Sequence, residues 1–357
     1  MLPQPHISAA SAALDKAVYS SRQPSEGSYS PICAIPKTTP KRLSHAAEDA
    51  ITSAPRAKPN TTVLYLAYGS NMCAKTFLGA RGIRPLSQVN VSAPTIRLTF
   101  DLPGIPYREP CFANVGFRNV PEKRRDQAGK FVHHDMDWDG GLIGVVYEVT
   151  QQDYRTIMRT EGAGSGYKEI VVPCYPIGPK ETCPAEGPKP FHAKTLYFPY
   201  EGDDGLEEQK WWQRLLGGRQ RPHQDYAQAS LRYLNLLRTG GAEHDLPSSF
   251  RSYLDSLHPY TATRCSQTIG NYVFILCWSP LFIFFVAATT GLADETGELP
   301  GWLARFVGMM FGFMWLSYDG IFKPVFGDGE RTEEDHLSNA SLPKVVAESN
   351  RNLSSST

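Results

Sequence analysis

The sequence predicts an α+β protein, a small closed sheet with helices around it, followed by a C-terminal region of membrane character. Three observations carry this. Six β-branched or aromatic-rich segments, each bounded by Gly, Pro or Asn, fall between residues 62 and 198. Helical patterns are fewer than strands and do not alternate regularly with them, which argues against a doubly wound parallel sheet. From Cys265 to Ala293 there is no charged residue, a run longer than the roughly 20 residues that a bilayer core requires.

Along the chain, residues 1–60 are rich in Ser, Ala, Pro and Thr and have neither an apolar run nor a helical period. They cannot bury enough surface to offset their ordering entropy and are read as disordered. Residues 61–263 form one domain, with strands expected at 62–67, 91–101, 112–117, 142–149, 167–175 and 192–198. Thr150 caps a helix running to Thr160, with Asp153 near the positive end of its dipole. Asp225 starts a second helix, which carries Tyr226, Tyr233, Leu234 and Leu237 on one side and stops at Gly240-Gly241. Pro247 opens a third, with Phe250, Tyr253, Leu254 and Leu257 at core spacing.

Residues 265–326 are expected to be a membrane region. A first span lies at about 269–292 and tolerates Pro280; a second apolar run at about 302–322 fits either another span or an interfacial helix. The loop 294–298 lacks Lys and Arg, whereas Arg264 and Lys323 flank the pair. The positive-inside rule then turns the 61–263 domain toward the cytoplasm. The polar tail 327–357 is expected to be disordered.

Composition narrows the function. The 36 Lys and Arg balance 36 Asp and Glu, which argues against a nucleic-acid binder with a broad basic face. Seven scattered cysteines, never spaced as CxxC, suit neither a disulfide framework nor a structural zinc site, and fit a reducing compartment. The stretch 133–140 begins like a calcium loop, but Val146 stands where the twelfth-position Glu is required. Glycines 162, 164 and 166 precede a strand rather than opening a helix, so they are not a phosphate loop. Neither a metal nor a cofactor is expected.

Two groups of residues can carry chemistry. Tyr65, Leu66, Ala67, Tyr68, Gly69, Ser70 and Asn71 form a strand end that runs into a Gly-Ser turn and a helical pattern. Gly69 allows backbone N–H groups close to a ligand, and the helix start behind it favours an anion such as a carboxylate; the same pattern also fits an ordinary strand–helix turn. Glu161 follows Tyr154, Ile157 and Met158 at i+7, i+4 and i+3, which places a carboxylate on the apolar face of its helix. There it is either desolvated, with a raised pKa suited to proton transfer near neutrality, or a helix-end Glu that reaches solvent.

Taken together, residues 65–72, Gly144-Val-Val-Tyr147, Glu161-Gly162 with Gly166-Tyr167, and Tyr233 followed by residues 240–247 resemble the γ-glutamylcyclotransferase family over roughly 61–260. The resemblance implies a small mixed β-barrel. It also implies an enzyme that releases 5-oxoproline and an amine from a small γ-glutamyl amide, by attack of the α-amine on its own γ-carbonyl, without metal or cofactor. Glu161 would be base and then acid, the 65–70 segment the substrate cradle, and Tyr200 and Tyr233 the border of the glutamyl pocket. The chain departs from the family in its membrane region, in an insertion at 201–224, in a shorter Gly166-Tyr167 spacing, and in Gly241 and Asp245 where Ala and Gly are usual. More broadly it resembles fungal cyclotransferases of sulfur-containing secondary metabolism, whose substrate is a glutathione-derived adduct. A membrane-anchored adaptor that binds a glutamyl ligand without turning it over is the reading from another class; Glu161 argues against it.

Overall fold

Apolar, β-branched segments that leave water must pair all their backbone groups, and here they do so by closing on one another. A computed structural model describes residues 29–49, 62–118, 140–162, 168–178, 190–199, 226–292 and 301–333. Its strands are β1 (Val63–Ala67), β2 (Ser87–Ala93), β3 (Ile96–Ile105), β4 (Glu109–Phe117), β5 (Leu142–Val149), β6 (Lys168–Pro176) and β7 (Phe191–Tyr197). Five of them make a closed barrel in the order β1-β5-β2-β6-β7. Four seams are antiparallel; the fifth joins β1 to β7 in parallel at Tyr65 and Lys194. Closure leaves no barrel edge to pair with another chain. Leu66, Val91, Val145 and Tyr147 are fully buried in its core, each worth about 1.5–3 kcal/mol of apolar burial. The expected small mixed barrel is present.

The hairpin of β3 and β4 stands apart as a two-stranded sheet. One strand was expected at 91–101. Two are found, because Pro94 and Thr95 turn the chain between β2 and β3, Pro94 having no N–H to give to a ladder. Helix α1 (Pro40–Asp49) precedes the barrel, and α2 (Gln151–Gly162) follows β5 with its Asp153 N–H capped by Thr150 Oγ1 at 3.0 Å. Helix α3 (Leu231–Glu243) begins six residues later than the pattern predicts. Ser230 is its N-cap, accepting from Tyr233 N–H, and it runs past Gly240-Gly241. Helix α4 is Ser248–Ser256.

The segment expected to be disordered at 1–60 is partly built into the fold. Ile32 and Ile35 are buried in the core, Thr38 N–H donates to the Gln88 carbonyl at 2.9 Å, and Arg42 of α1 pairs with Glu148 at 2.8 Å. Composition hides this because a few apolar residues suffice when the barrel supplies the rest of the burial.

The C-terminal expectations are overturned more fully. Helices α5 (Cys265–Leu292), α6 (Gly301–Ser317) and α7 (Lys323–Phe326) occupy the region, yet among the described residues no helix is long and apolar enough to cross a membrane. The spans at 269–292 and 302–322 therefore fall, and with them the membrane tether and the orientation toward the cytoplasm. The sequence reading took the run as apolar on every face and free to meet lipid. Instead Phe274 and Ile275 of α5 pack on Met310, Met314 and Trp315 of α6, on Tyr318 and Phe322, and on Ile105 and Tyr107 of the β3–β4 hairpin. Fully buried Gln267 accepts from the N–H groups of Thr263 and Arg264 and donates to the Asp328 carbonyl. The other face of α5, with Ile269 and Leu276, is exposed. Residues 327–333, expected to belong to a disordered tail, form a strap: Tyr107 N–H donates to the Gly329 carbonyl at 2.7 Å and Gln228 N–H to the Glu330 carbonyl at 2.8 Å.

Candidate active site

Strand β1 delivers its end into a tight turn. Past Tyr68 and Gly69 the chain makes a 3-10 turn, Ser70–Met72, and then a π-helical turn, Lys75–Ala80. Met72 N–H closes the first on the Gly69 carbonyl at 3.0 Å, and Cys73 N–H on the Ser70 carbonyl at 3.1 Å. Gly69 and Ser70 thus stand, half-buried, at the mouth of the turn.

Helix α3 supports the turn from behind, and glycine makes this possible. A Cβ at Gly240 would lie 2.8 Å from Met72 and from the Cys73 nitrogen, closer than any side chain could stand. That close approach explains why the helix continues through a Gly-Gly pair that reads as a stop. At its end, His244 Nε2 is 3.0 Å from the Met72 carbonyl and 2.7 Å from the Tyr147 hydroxyl. The His244 carbonyl accepts from Asn90 Nδ2 at 2.8 Å, and Glu243 accepts from Ala74 N–H at 2.8 Å. Burial pushes His244 down to about 4, so its ring is neutral. Its Nε2 then either donates to the Met72 carbonyl or accepts from Tyr147, according to the tautomer. Burial likewise raises Glu243, and raises Cys73 with the Glu243 charge adding to it.

Tyr233 of α3 reaches the mouth itself. Its hydroxyl accepts from Ala113 N–H at 3.1 Å, its ring meets Phe112 edge-on at 5.1 Å, and a Cβ at Gly69 would lie 3.1 Å from the hydroxyl. From the other side, Tyr154 of α2 brings its ring to 6.2 Å from Tyr65, whose hydroxyl accepts from Asn71 Nδ2 at 2.9 Å. Tyr154 and Ile157 are buried. The backbone of Glu161 belongs to the last turn of α2; its side chain lies outside the described residues.

The other expected site residues divide by role. Leu66 and Ala67 are fully buried in the barrel wall, and the Leu66 carbonyl accepts from Thr195 Oγ1 at 2.9 Å. The Tyr68 hydroxyl donates to the Leu196 carbonyl at 2.7 Å. Their side chains hold the strand in place; they do not form the mouth. Tyr200, the stretch 133–139 and the insertion 201–224 lie outside the described residues. Among the described residues no group of His, Cys, Asp or Glu could hold a metal ion. Sequence reasoning missed His244 and Tyr154 as supports. His244 lay inside the quoted 240–247 motif, but only its burial beneath the turn shows what it does.

Over 274 residues the chain is 29% identical to the γ-glutamyl cyclotransferase gliK of Aspergillus fumigatus, covering 76% of this chain and 90% of that one. It is 28% identical over 278 residues to the γ-glutamyl cyclotransferase aclK of Aspergillus oryzae, covering 75% and 90%. Residues 264–325 match the family described as the AclK C-terminal domain. A solved γ-glutamyl cyclotransferase aligns over 57% of this chain and 92% of its own, at 15% identity and a TM-score of 0.37.

Proposed function

We propose that the chain is a γ-glutamylcyclotransferase, as its curated relatives suggest, and that it releases 5-oxoproline from a γ-glutamyl amide at the mouth formed by Gly69 and Ser70. The α-amine of the glutamyl group attacks its own γ-carbonyl; the carbon–nitrogen bond to the leaving amine then breaks. Glu161 takes the proton that the α-ammonium must lose and returns one to the departing amine. The amides of Gly69 and Ser70 hold the glutamyl carboxylate or the oxygen on which charge develops. Tyr233 borders the folded-back chain, and orientation supplies much of the rate.

The observation that supports this reading is the approach of Tyr154 to Tyr65 at 6.2 Å, which sets α2, the helix whose last turn holds residue 161, against β1, the strand that leads into Gly69. A neutral His244 beneath the turn suits a cradle that must accept an anion, and the nearby Glu243 carboxylate is engaged by the Ala74 N–H. The substrate class extends to glutathione-derived adducts, as the broader fungal resemblance suggests.

The test is release of 5-oxoproline from a panel of γ-glutamyl dipeptides, glutathione and glutathione S-conjugates. Replacing Glu161 with Gln keeps size and removes the titrating group; turnover falls at least about a hundredfold, the low end for general acid–base work. Near-wild-type turnover in that variant would falsify the assignment of Glu161, and absence of 5-oxoproline from every substrate overturns the reading as a whole.

A further inference from the structure

The start of α3 is fixed by a carboxylate that comes from a different part of the fold. Glu109 opens β4 just after the hairpin tip and is buried, at 3% exposure. Its Oε2 accepts from Ser230 Oγ at 2.7 Å, and its Oε1 from Arg232 Nε at 2.6 Å. A serine hydroxyl has a single proton. Because Glu109 takes it, the lone pairs of Ser230 are left to the helix, where they accept from Tyr233 N–H at 3.1 Å. The same strand then supplies Ala113, whose N–H bonds the Tyr233 hydroxyl at 3.1 Å. Strand β4 therefore grips Tyr233 twice: at its backbone through Glu109 and Ser230, and at its hydroxyl directly.

Two further contacts show that this grip is built rather than incidental. At Gly104, across the hairpin, a Cβ would fall 2.0 Å from the Glu109 carbonyl oxygen, so only glycine allows β3 this close to the position. The tip between them is held from outside, Tyr107 N–H on the Gly329 carbonyl and Tyr107 hydroxyl on the Gly327 carbonyl at 2.9 Å. The hairpin is thereby pinned between the C-terminal strap and α3.

We propose that Glu109 is a positioning residue of the substrate pocket: by polarising the Ser230 cap it sets where the Tyr233 hydroxyl stands beside Gly69. This rests on the reading of Gly69 and Tyr233 as the glutamyl pocket. Glu109 does not touch the substrate, so it governs binding more than the chemical step.

The experiment measures steady-state 5-oxoproline release by the full chain on glutathione and on γ-glutamyl-alanine. Glu109→Ala raises KM about tenfold with kcat within about threefold of wild type. Glu109→Gln keeps one acceptor oxygen for Arg232, but its amide N–H groups donate to the Ser230 oxygen instead of taking its proton, so KM rises in this variant too, again with kcat within about threefold. Tyr233→Phe raises KM by itself, and adding Glu109→Ala to it causes no further rise. Glu148→Gln alters a partly buried carboxylate of β5 that does not touch α3, bonded to Thr62, Ser87 and Arg42, and leaves KM unchanged. Wild-type KM in folded Glu109→Ala, multiplying effects in the double variant, or an equal rise in Glu148→Gln each overturn the proposal. If Glu109→Ala does not fold, Ser230→Ala cuts the same path, and an unchanged KM there overturns it too. A wild-type chain that forms no 5-oxoproline overturns the pocket reading and takes this proposal with it, whereas an active wild type with an indifferent Glu109 overturns this proposal alone.

Discussion

Two buried polar clusters hold this molecule together, and they are built on opposite principles. Behind the Ser70–Met72 turn, His244, Tyr147 and Asn90 are held by hydrogen bonds between uncharged groups. In the C-terminal strap, Asp328 sits 3.0 Å from Lys323 and accepts from the hydroxyls of Tyr226 and Tyr318 and from the N–H groups of Glu330 and Arg331. Glu330, fully buried, lies 3.7 Å from the same lysine. Burial works to raise Asp328, but the Tyr226 hydroxyl, the Glu330 N–H and Lys323 outweigh it and hold the carboxyl below its usual range. The difference teaches what each cluster is for. The strap is tied by full charges within the fold, whereas under the proposed function the turn receives an anion, and the His244 ring beneath it is neutral.

The largest effect expected from this contrast is in the strap. Asp328→Ala leaves Lys323 and two tyrosine hydroxyls without their shared acceptor, and breaking a buried pair from one side costs about 3–5 kcal/mol. Urea denaturation of the variant should show a loss near the lower figure, since Lys323 is a third exposed. A loss below about 1 kcal/mol would mean that the strap does not depend on its charges.

The neutral cluster is sharpened by pH. The His244 pKa is about 4 in the fold, against an ordinary value near 6.5, so between those values the unfolded chain binds the extra proton. Stability from this group is therefore fully present above about 6.5 and is lost as pH falls toward 4, by up to about 3 kcal/mol. The charged and titratable groups near the ring are Lys37, Cys73, Glu243 and Tyr147. Over that window wild type should lose more stability than His244→Asn, in which the titrating ring is gone. Parallel curves for the two proteins would show that His244 is not held neutral.

How much of this was legible depends on how local the cause is. Strand β5 was expected at 142–149 and is found there, because alternation and flanking residues suffice to define it. The start of α3 was misplaced because Tyr226 falls at helical spacing, yet its hydroxyl serves Asp328, 102 residues away. The run 265–293 looked like a lipid-facing span because sequence cannot show that Phe274 and Ile275 meet α6 and a hairpin tip. Of the site, the Gly69 turn was readable from turn chemistry, and the helical period was enough to put Tyr154 and Ile157 on a buried face. Glu109 was not: its partners, Ser230 and Arg232, lie 121 and 123 residues on.

The smallest effect comes from a departure that sequence did reveal. Asp245, where the family usually has Gly, has a φ of +49°, a left-handed conformation that a residue with a Cβ adopts at a cost. Its ion pair with Arg251 spans 3.6 Å and is exposed, so little is lost with it. Relief of about 1–2 kcal/mol of left-handed strain, set against the roughly 0.5–1 kcal/mol entropic cost of glycine, means that Asp245→Gly should stabilise the chain by about 0.5–1 kcal/mol, read as a rise in thermal midpoint with activity unchanged. A destabilised variant would show that the aspartate contributes more than its backbone strain costs.

The parallel seam between β1 and β7 bears on the order of events in folding. Its register is anchored at Tyr65 and Lys194 and supported by Thr195 bonding the Leu66 carbonyl, so closing it joins chain positions some 130 residues apart, where the antiparallel partner β6 is already beside β7. Loop-closure entropy has to be met before such a contact brings any gain, which makes this seam the late step and the antiparallel pairs the early ones. The strand that waits for this second partner is β1, which β5 holds on its other side and which leads into the Gly69 turn. A chain caught before closure would thus carry its proposed cradle strand on one partner only, and catalytic competence would report the last stage of folding rather than its bulk.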